Sequence, residues 1–155
     1  MGANSRSKRP DPTSDEPPME AVIRELAQFR YALRKFVRFS ENAARRCGVT
    51  PQQHQLMLGV AGFTGRGSAT VSELAEFLQE QPHSVVGLIE RAAQNGLVRR
   101  VQDKTDRRVV NVSLTPSGKH ILLKLSRLHR TEARRIQQLP GGENVFAGAV
   151  ASEIS

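Results

Sequence analysis

From Met19 onward the large apolar residues recur at intervals of three and four: Met19, Val22, Ile23, Leu26, Phe29, Leu33, Phe36 and Val37. That spacing puts them on one face of a single long helix ending near Gly48. A helix of this length in so short a chain calls for a second chain to lie against. Before it, MGANSRSKRPDPTSDEPP carries proline, serine and charge with hardly any large apolar residue, which predicts a disordered arm over residues 1–17. The stretch VTPQQHQLMLGVAGF reads as the next helix, with Thr50 as N-cap, Pro51 in the first helical position and Gln53 in the third. TGRGSA reads as a glycine-rich connection.

The pattern then shortens. In TVSELAEFL, Thr70 and Glu73 form a capping box ahead of a stripe of Val71, Leu74, Ala75 and Leu78. Pro82 restarts a helix whose stripe is Val85, Leu88, Ile89 and Ala92, and Asn95-Gly96 stops it. Two short helices so close together describe a helix-turn-helix. LVRRVQ and RVVNVSL alternate as strands around the turn DKTDR. From Thr115 a second long helix carries Ile121, Leu122, Leu125, Leu128, Ile136 and Leu139, until Pro140-Gly141-Gly142 breaks it. A last amphipathic piece holds Val145, Phe146, Ala149, Val150 and Ile154. The expected fold is mostly α with a small β-hairpin wing. It is one winged-helix domain over 18–155, with a lobe over 50–118 between dimerisation helices at 19–47 and 116–155.

Charge narrows the choice of partner. The chain has 23 Lys and Arg against 15 Asp and Glu, a net charge of +8 and a pI near 10.7, which favours a polyanion and nucleic acid first. Residues 71–118 carry six basic and six acidic side chains and so are neutral as a whole. Within them, however, Glu73, Glu76 and Glu80 lie on the first short helix, while Arg99, Arg100, Lys104, Arg107 and Arg108 lie on the hairpin against Asp103 and Asp106 alone. The hairpin is the positive end. One cysteine excludes an internal disulfide framework and fits a reducing, cytoplasmic setting. No apolar run suggests a membrane partner.

The stretch from Ala69 to Gly118 resembles the MarR-type transcriptional regulators. The likeness rests on Leu74-Ala75, on NGLVRR at Asn95–Arg100, and on Asp106-x-Arg108 followed by SLTPSG. It implies a homodimer with interleaved terminal helices, bound to double-stranded DNA and generally repressing nearby genes. It also implies release by a small phenolic or other aromatic effector between arms and lobes. Arg108 would enter the minor groove, held by Asp106. Arg107 and Arg108 are neighbours on the turn, so one of the two can reach the groove floor and the other a phosphate. The second short helix would enter the major groove from Pro82, presenting His83, Ser84, Val86 and Gly87 to base edges. Thr70, Ser72, Ser84, Arg91 and Lys104 would meet phosphates. Three positions depart from the family's habit: Gly87 replaces a polar or basic residue, Ala92 a leucine, and Gln79 a turn glycine. The last two are read as packing changes.

Other constellations carry less. Cys47 follows Arg45-Arg46, which offers a redox-sensing regulator as one alternative, and a second short helix without a bidentate base reader offers a dimeric protein-interaction regulator of weak intrinsic DNA specificity as the other. His129 and Glu132 lie one turn apart, too few for a structural metal site, and His129 is expected to pack or hydrogen-bond at the helical interface. No phosphate loop, carboxylate pair or nucleophile–base arrangement points to an enzyme or a cofactor.

Overall fold

The computed structural model describes residues 17–143. Its elements are α1 (Met19–Arg46), α2 (Pro51–Leu58), β1 (Ser68–Thr70), α3 (Val71–Leu78), α4 (Pro82–Gln94), β2 (Val98–Gln102), β3 (Val110–Leu114) and α5 (Pro116–Gln137). The protein is thus mostly helical, with α3 and α4 as a helix-turn-helix, β2 and β3 as the wing, and long helices before and after. The amphipathic piece from Val145 to Ile154 lies outside the described residues, as does the N-terminal arm apart from Pro17.

Local chemistry explains where the helices start. The Thr50 hydroxyl accepts from the Gln53 N–H at 3.1 Å while the Gln53 side chain accepts from the Thr50 N–H at 3.0 Å. Thr70 and Glu73 repeat the arrangement at 3.3 and 2.8 Å. Each such cap satisfies amides that the first turn leaves open and is worth about 1 kcal/mol. At the far end of α4, Gly96 takes φ +69° and lets the chain turn back into β2.

Two elements differ from the sequence reading. The helix from Pro51 is regular only to Leu58 and then widens into a π-helical turn over Gly59–Phe63. In the expected connection TGRGSA lies the start of a third strand, β1, which pairs antiparallel with β3 (Ala69 opposite Val112). The wing is therefore part of a three-stranded sheet in the order β1-β3-β2. Three residues are too few to show alternation, and the glycines before them read as loop.

The core fills the space between α2, the helix-turn-helix and the sheet. Leu56, Met57, Val60, Leu74, Val85, Ile89 and Val112 are fully buried there, and Leu125 brings α5 into the same cluster. The SLTPSG segment is explained by a close approach. Thr115 caps α5 by accepting from the Gly118 N–H at 3.0 Å, and its hydroxyl donates to the Gly96 carbonyl at 2.5 Å. A Cβ at Gly118 would run into the Leu97 carbonyl, so only glycine lets the first turn of α5 sit on the start of β2.

Gln79 is not the packing change the sequence suggests. It is the C-cap of α3 in the left-handed conformation, φ 53° and ψ 42°. Its side-chain amide donates to the Glu76 carbonyl at 2.7 Å, satisfying an acceptor that the helix end exposes. The departure concerns the backbone.

Candidate nucleic-acid interface

Helix α4 turns its stripe of Val85, Leu88, Ile89 and Ala92 into the core. That leaves Pro82, His83, Ser84 and Val86 exposed at its N-terminal end, with Arg91 further along. The arrangement follows from the 3.6-residue period once the stripe is buried. Gly87 lies between these residues. A Cβ there would meet only the Arg91 guanidinium, 3.3 Å from Nη1, so crowding by another element does not account for the glycine. The backbone at Gly87 is open to a close approach from outside.

The wing is built around two carboxylates. Asp103 Oδ1 accepts from the Thr105 N–H at 2.8 Å, the Thr105 hydroxyl at 2.5 Å and the Asp106 N–H at 3.1 Å, and Oδ2 accepts from the Asn111 amide at 3.3 Å. The hydrogen bonds from Thr105, ahead of the others, hold its pKa down at about 2. Asp106 Oδ1 accepts from Nε of Arg108 at 3.2 Å and from the Arg108 N–H at 3.0 Å, and Oδ2 from Nη2 at 3.3 Å. These bonds, the guanidinium's first, also lower the Asp106 pKa. The Arg108 side chain is nonetheless 91% exposed. Gln102 donates to the Arg107 carbonyl at 2.7 Å, fixing the backbone and leaving the Arg107 side chain outside. Lys104 is exposed at the same tip.

The other two hairpin arginines are engaged on the body of the sheet, away from the tip. Arg99 donates to the Ser113 hydroxyl across the sheet at 3.2 Å. Arg100 reaches Glu90 of α4 at 3.4 Å, which ties the wing's base to the second helix. The cationic tip is thus Lys104, Arg107 and Arg108.

Thr70 and Ser72 stand at the start of α3 as expected, but the Thr70 hydroxyl is already used as a cap. Sequence reasoning passed over Arg66. Its Nη2 lies 2.8 Å from both oxygens of Glu73, and this hydrogen bond, followed by that from the Thr70 N–H, lowers the Glu73 pKa. A gap of seven residues across a glycine-rich turn carries no local signal for such a pair. The Asp103 cap was legible in principle, since Asp-x-Thr is the spacing of an Asx-turn.

Beside this surface lies a cavity of about 610 Å³ between α1, α2 and the helix-turn-helix. Phe36, Val37, Leu78, Val85 and Leu88 supply apolar walls, and Glu41, Glu80 and Arg91 supply charge. Ser84 and Arg91 line it and are also exposed, on the flank of α4 beside its outward face.

His129 joins α5 to α1: its Nε2 lies 2.7 Å from the Ser40 hydroxyl, and its ring packs edge-on against Phe36 and Phe39. This is the interface role its sequence position suggests. Cys47 is half-buried against the core at the end of α1. Among the described residues no group of three or more His, Cys, Asp or Glu gathers as a metal site, and no helix is long and apolar enough to cross a membrane.

The model of the MarR family matches residues 48–109, from the end of α1 to the wing tip. Over that segment, which is less than half of the chain, the sequence is similar to the MarR family. It is 38% identical over 71 residues to the HTH-type transcriptional repressor MdtR of Bacillus subtilis, covering 46% of this chain and 44% of MdtR. The chain spans about half the length of the curated relatives it matches. A MarR family protein from Bacillus stearothermophilus superposes with a TM-score of 0.69 at 20% identity, over 79% of this chain and 84% of that one. Bordetella bronchiseptica BpsR, whose structure concerns regulation of its DNA binding by 6-hydroxynicotinic acid, gives 0.58 at 20% identity, over 76% and 85%. At these identities the structures establish the MarR-type fold, including the long helices outside residues 48–109.

Proposed function

We propose that this protein is a cytoplasmic transcription regulator that binds double-stranded DNA as a homodimer. The observation that carries the reading is the pairing of two surfaces on one MarR-type lobe. The open N-terminal end of α4 suits a major groove, and the tip of Lys104, Arg107 and Arg108 suits the narrower, more negative groove beside it. Thr70, Ser72, Ser84 and Arg91 are then phosphate contacts, and His83, Val86 and Gly87 face bases. The similarity to a named repressor supports regulation as the role.

A single protomer leaves Met19, Ile23 and Leu26 of α1 and Leu123 and Leu128 of α5 exposed, an apolar surface that a second copy would cover. Two-fold pairing turns one half-site into an inverted repeat with centres about one helical turn apart. The cavity under α4 is the proposed effector site, sized for an aromatic molecule. Because Ser84 and Arg91 line it and also stand on the DNA side, a ligand there competes for side chains the DNA needs and favours a spacing of the two lobes that no longer fits the grooves.

Selection from a pool of random duplexes tests the reading. An inverted repeat should be enriched, and the complex should hold two chains per duplex. A pool that stays random after repeated rounds sinks it.

A further inference from the structure

The joint between lobe and arms holds a pair of histidines that the proposed function does not use. His54, in the middle of α2, is 2% exposed, and its Nδ1 has no hydrogen-bond partner. Its ring lies 4.7 Å from that of His129 on α5, centroid to centroid, tilted by 47°. His129 is fully engaged: Nδ1 is 2.6 Å from the Leu125 carbonyl and Nε2 is 2.7 Å from the Ser40 hydroxyl of α1. A carbonyl only accepts, so Nδ1 carries the hydrogen, and in the neutral ring Nε2 accepts from Ser40. His129 therefore ties α5 to α1. Across from it, the lobe presents a buried imidazole with one nitrogen unpaired.

A proton on His54 would be a charge without water or a partner acceptor at Nδ1, opposite a second imidazole. Burial first, and the facing His129 second, lower its pKa from 6.5 to about 4. Of the titratable groups on the surrounding helices only His129 bears on it. From α1 the joint receives the uncharged Ser40, Phe36 and Phe39. Glu41 and Arg45 of α1 pair with each other at 3.6 Å, Glu132 and Arg135 of α5 at 3.5 Å, and the Cys47 side chain packs on the core.

We propose that the His54–His129 pair makes the lobe–arm joint release in acid, with the proton itself as effector. Any arrangement that swings α2 away from α5 wets His54, which then takes the proton that the closed joint refuses. The sign follows from the lowered value: the closed joint keeps its full advantage above pH 6.5 and loses it as the pH falls from 6.5 towards 4. Within that window the open population should grow roughly tenfold per pH unit. Its effect on DNA rests on the function proposed above, because a loosened joint no longer holds two α4 helices at a fixed spacing.

Hydrogen exchange of the α2 amides in the full chain, corrected for intrinsic rates between pH 7.5 and 4.5, reads the joint without DNA. The wild-type opening equilibrium should rise about tenfold per unit below pH 6.5, while His54→Phe stays flat. Equal slopes in the two proteins overturn the proposal. Should His54→Phe not fold, the imidazole resonances of the wild type decide: a His54 midpoint near 4 supports it and one near 6.5 overturns it. With a duplex selected at pH 7.5, wild-type affinity should fall in the same window and that of His54→Phe should persist. Absence of DNA binding at every pH counts against the DNA reading and leaves the exchange result standing on its own.

Discussion

Asp106 holds Arg108 at both its backbone and its guanidinium: one oxygen accepts from the N–H at 3.0 Å and Nε at 3.2 Å, the other from Nη2 at 3.3 Å. A long side chain that is 91% exposed is thereby aimed before anything binds. Arginine carries about 2 kcal/mol of rotamer entropy, and ordering part of it in advance lowers what association must supply.

Replacing Arg108 with alanine should weaken binding to a selected duplex by about 1–3 kcal/mol and reduce the salt slope by about one unit. Asp106→Asn keeps the arginine but loses the aim, so its loss should be smaller than that of Arg108→Ala, with the slope unchanged. Fluorescence anisotropy at several salt concentrations reads both. An Arg108→Ala protein that binds like the wild type removes the wing from the interface.

Asp103 staples the wing tip through its carboxylate. Its pKa is lowered from 3.8 to about 2, so its contribution is present above 3.8 and is lost as the pH falls through about 2. At neutral pH the charge can be removed only by substitution. Asp103→Asn should speed tryptic cleavage at Lys104 and Arg107 severalfold while the lobe's thermal midpoint barely moves. Cleavage at the wild-type rate would show that the tip is held by something else.

Gly118 should tolerate no side chain, because a Cβ there meets the Leu97 carbonyl. Gly118→Ala should cost about 2–4 kcal/mol in urea unfolding, since either α5 or β2 must move. A loss below about 0.5 kcal/mol, the size of an ordinary surface change, would contradict the packing described.

Gln79 tests a backbone strain in the opposite direction. A non-glycine residue in the left-handed region costs about 1–2 kcal/mol, offset in part by its bond to the Glu76 carbonyl and by glycine's greater freedom when unfolded. Gln79→Gly should therefore stabilise the fold by about 0.5–1 kcal/mol in the same assay. A destabilised variant would show that the side-chain bond outweighs the strain.

These cases mark what the residues alone revealed. Stripes such as Val85, Leu88, Ile89 and Ala92 recur at the helical period, so the helix-turn-helix and its outward face follow from the residues alone. The capping boxes at Thr50 and Thr70 were legible for the same reason: both partners sit within one turn. Contacts that join distant segments were not. Arg66 finds Glu73 only once β1 forms, Ser40 meets His129 only once α1 and α5 pack, and a three-residue strand is too short to show its period. His54 carries no signal in the sequence, because its meaning lies wholly in what surrounds it in the fold.

Affinity for a selected inverted-repeat duplex, measured beside a scrambled duplex of the same length at physiological salt, tests the central claim most directly. Two chains should bind the selected site roughly a thousandfold or more tighter than the scrambled one. Equal affinity for both, falling together with salt, would contradict the account and leave a basic protein that adheres to any polyanion.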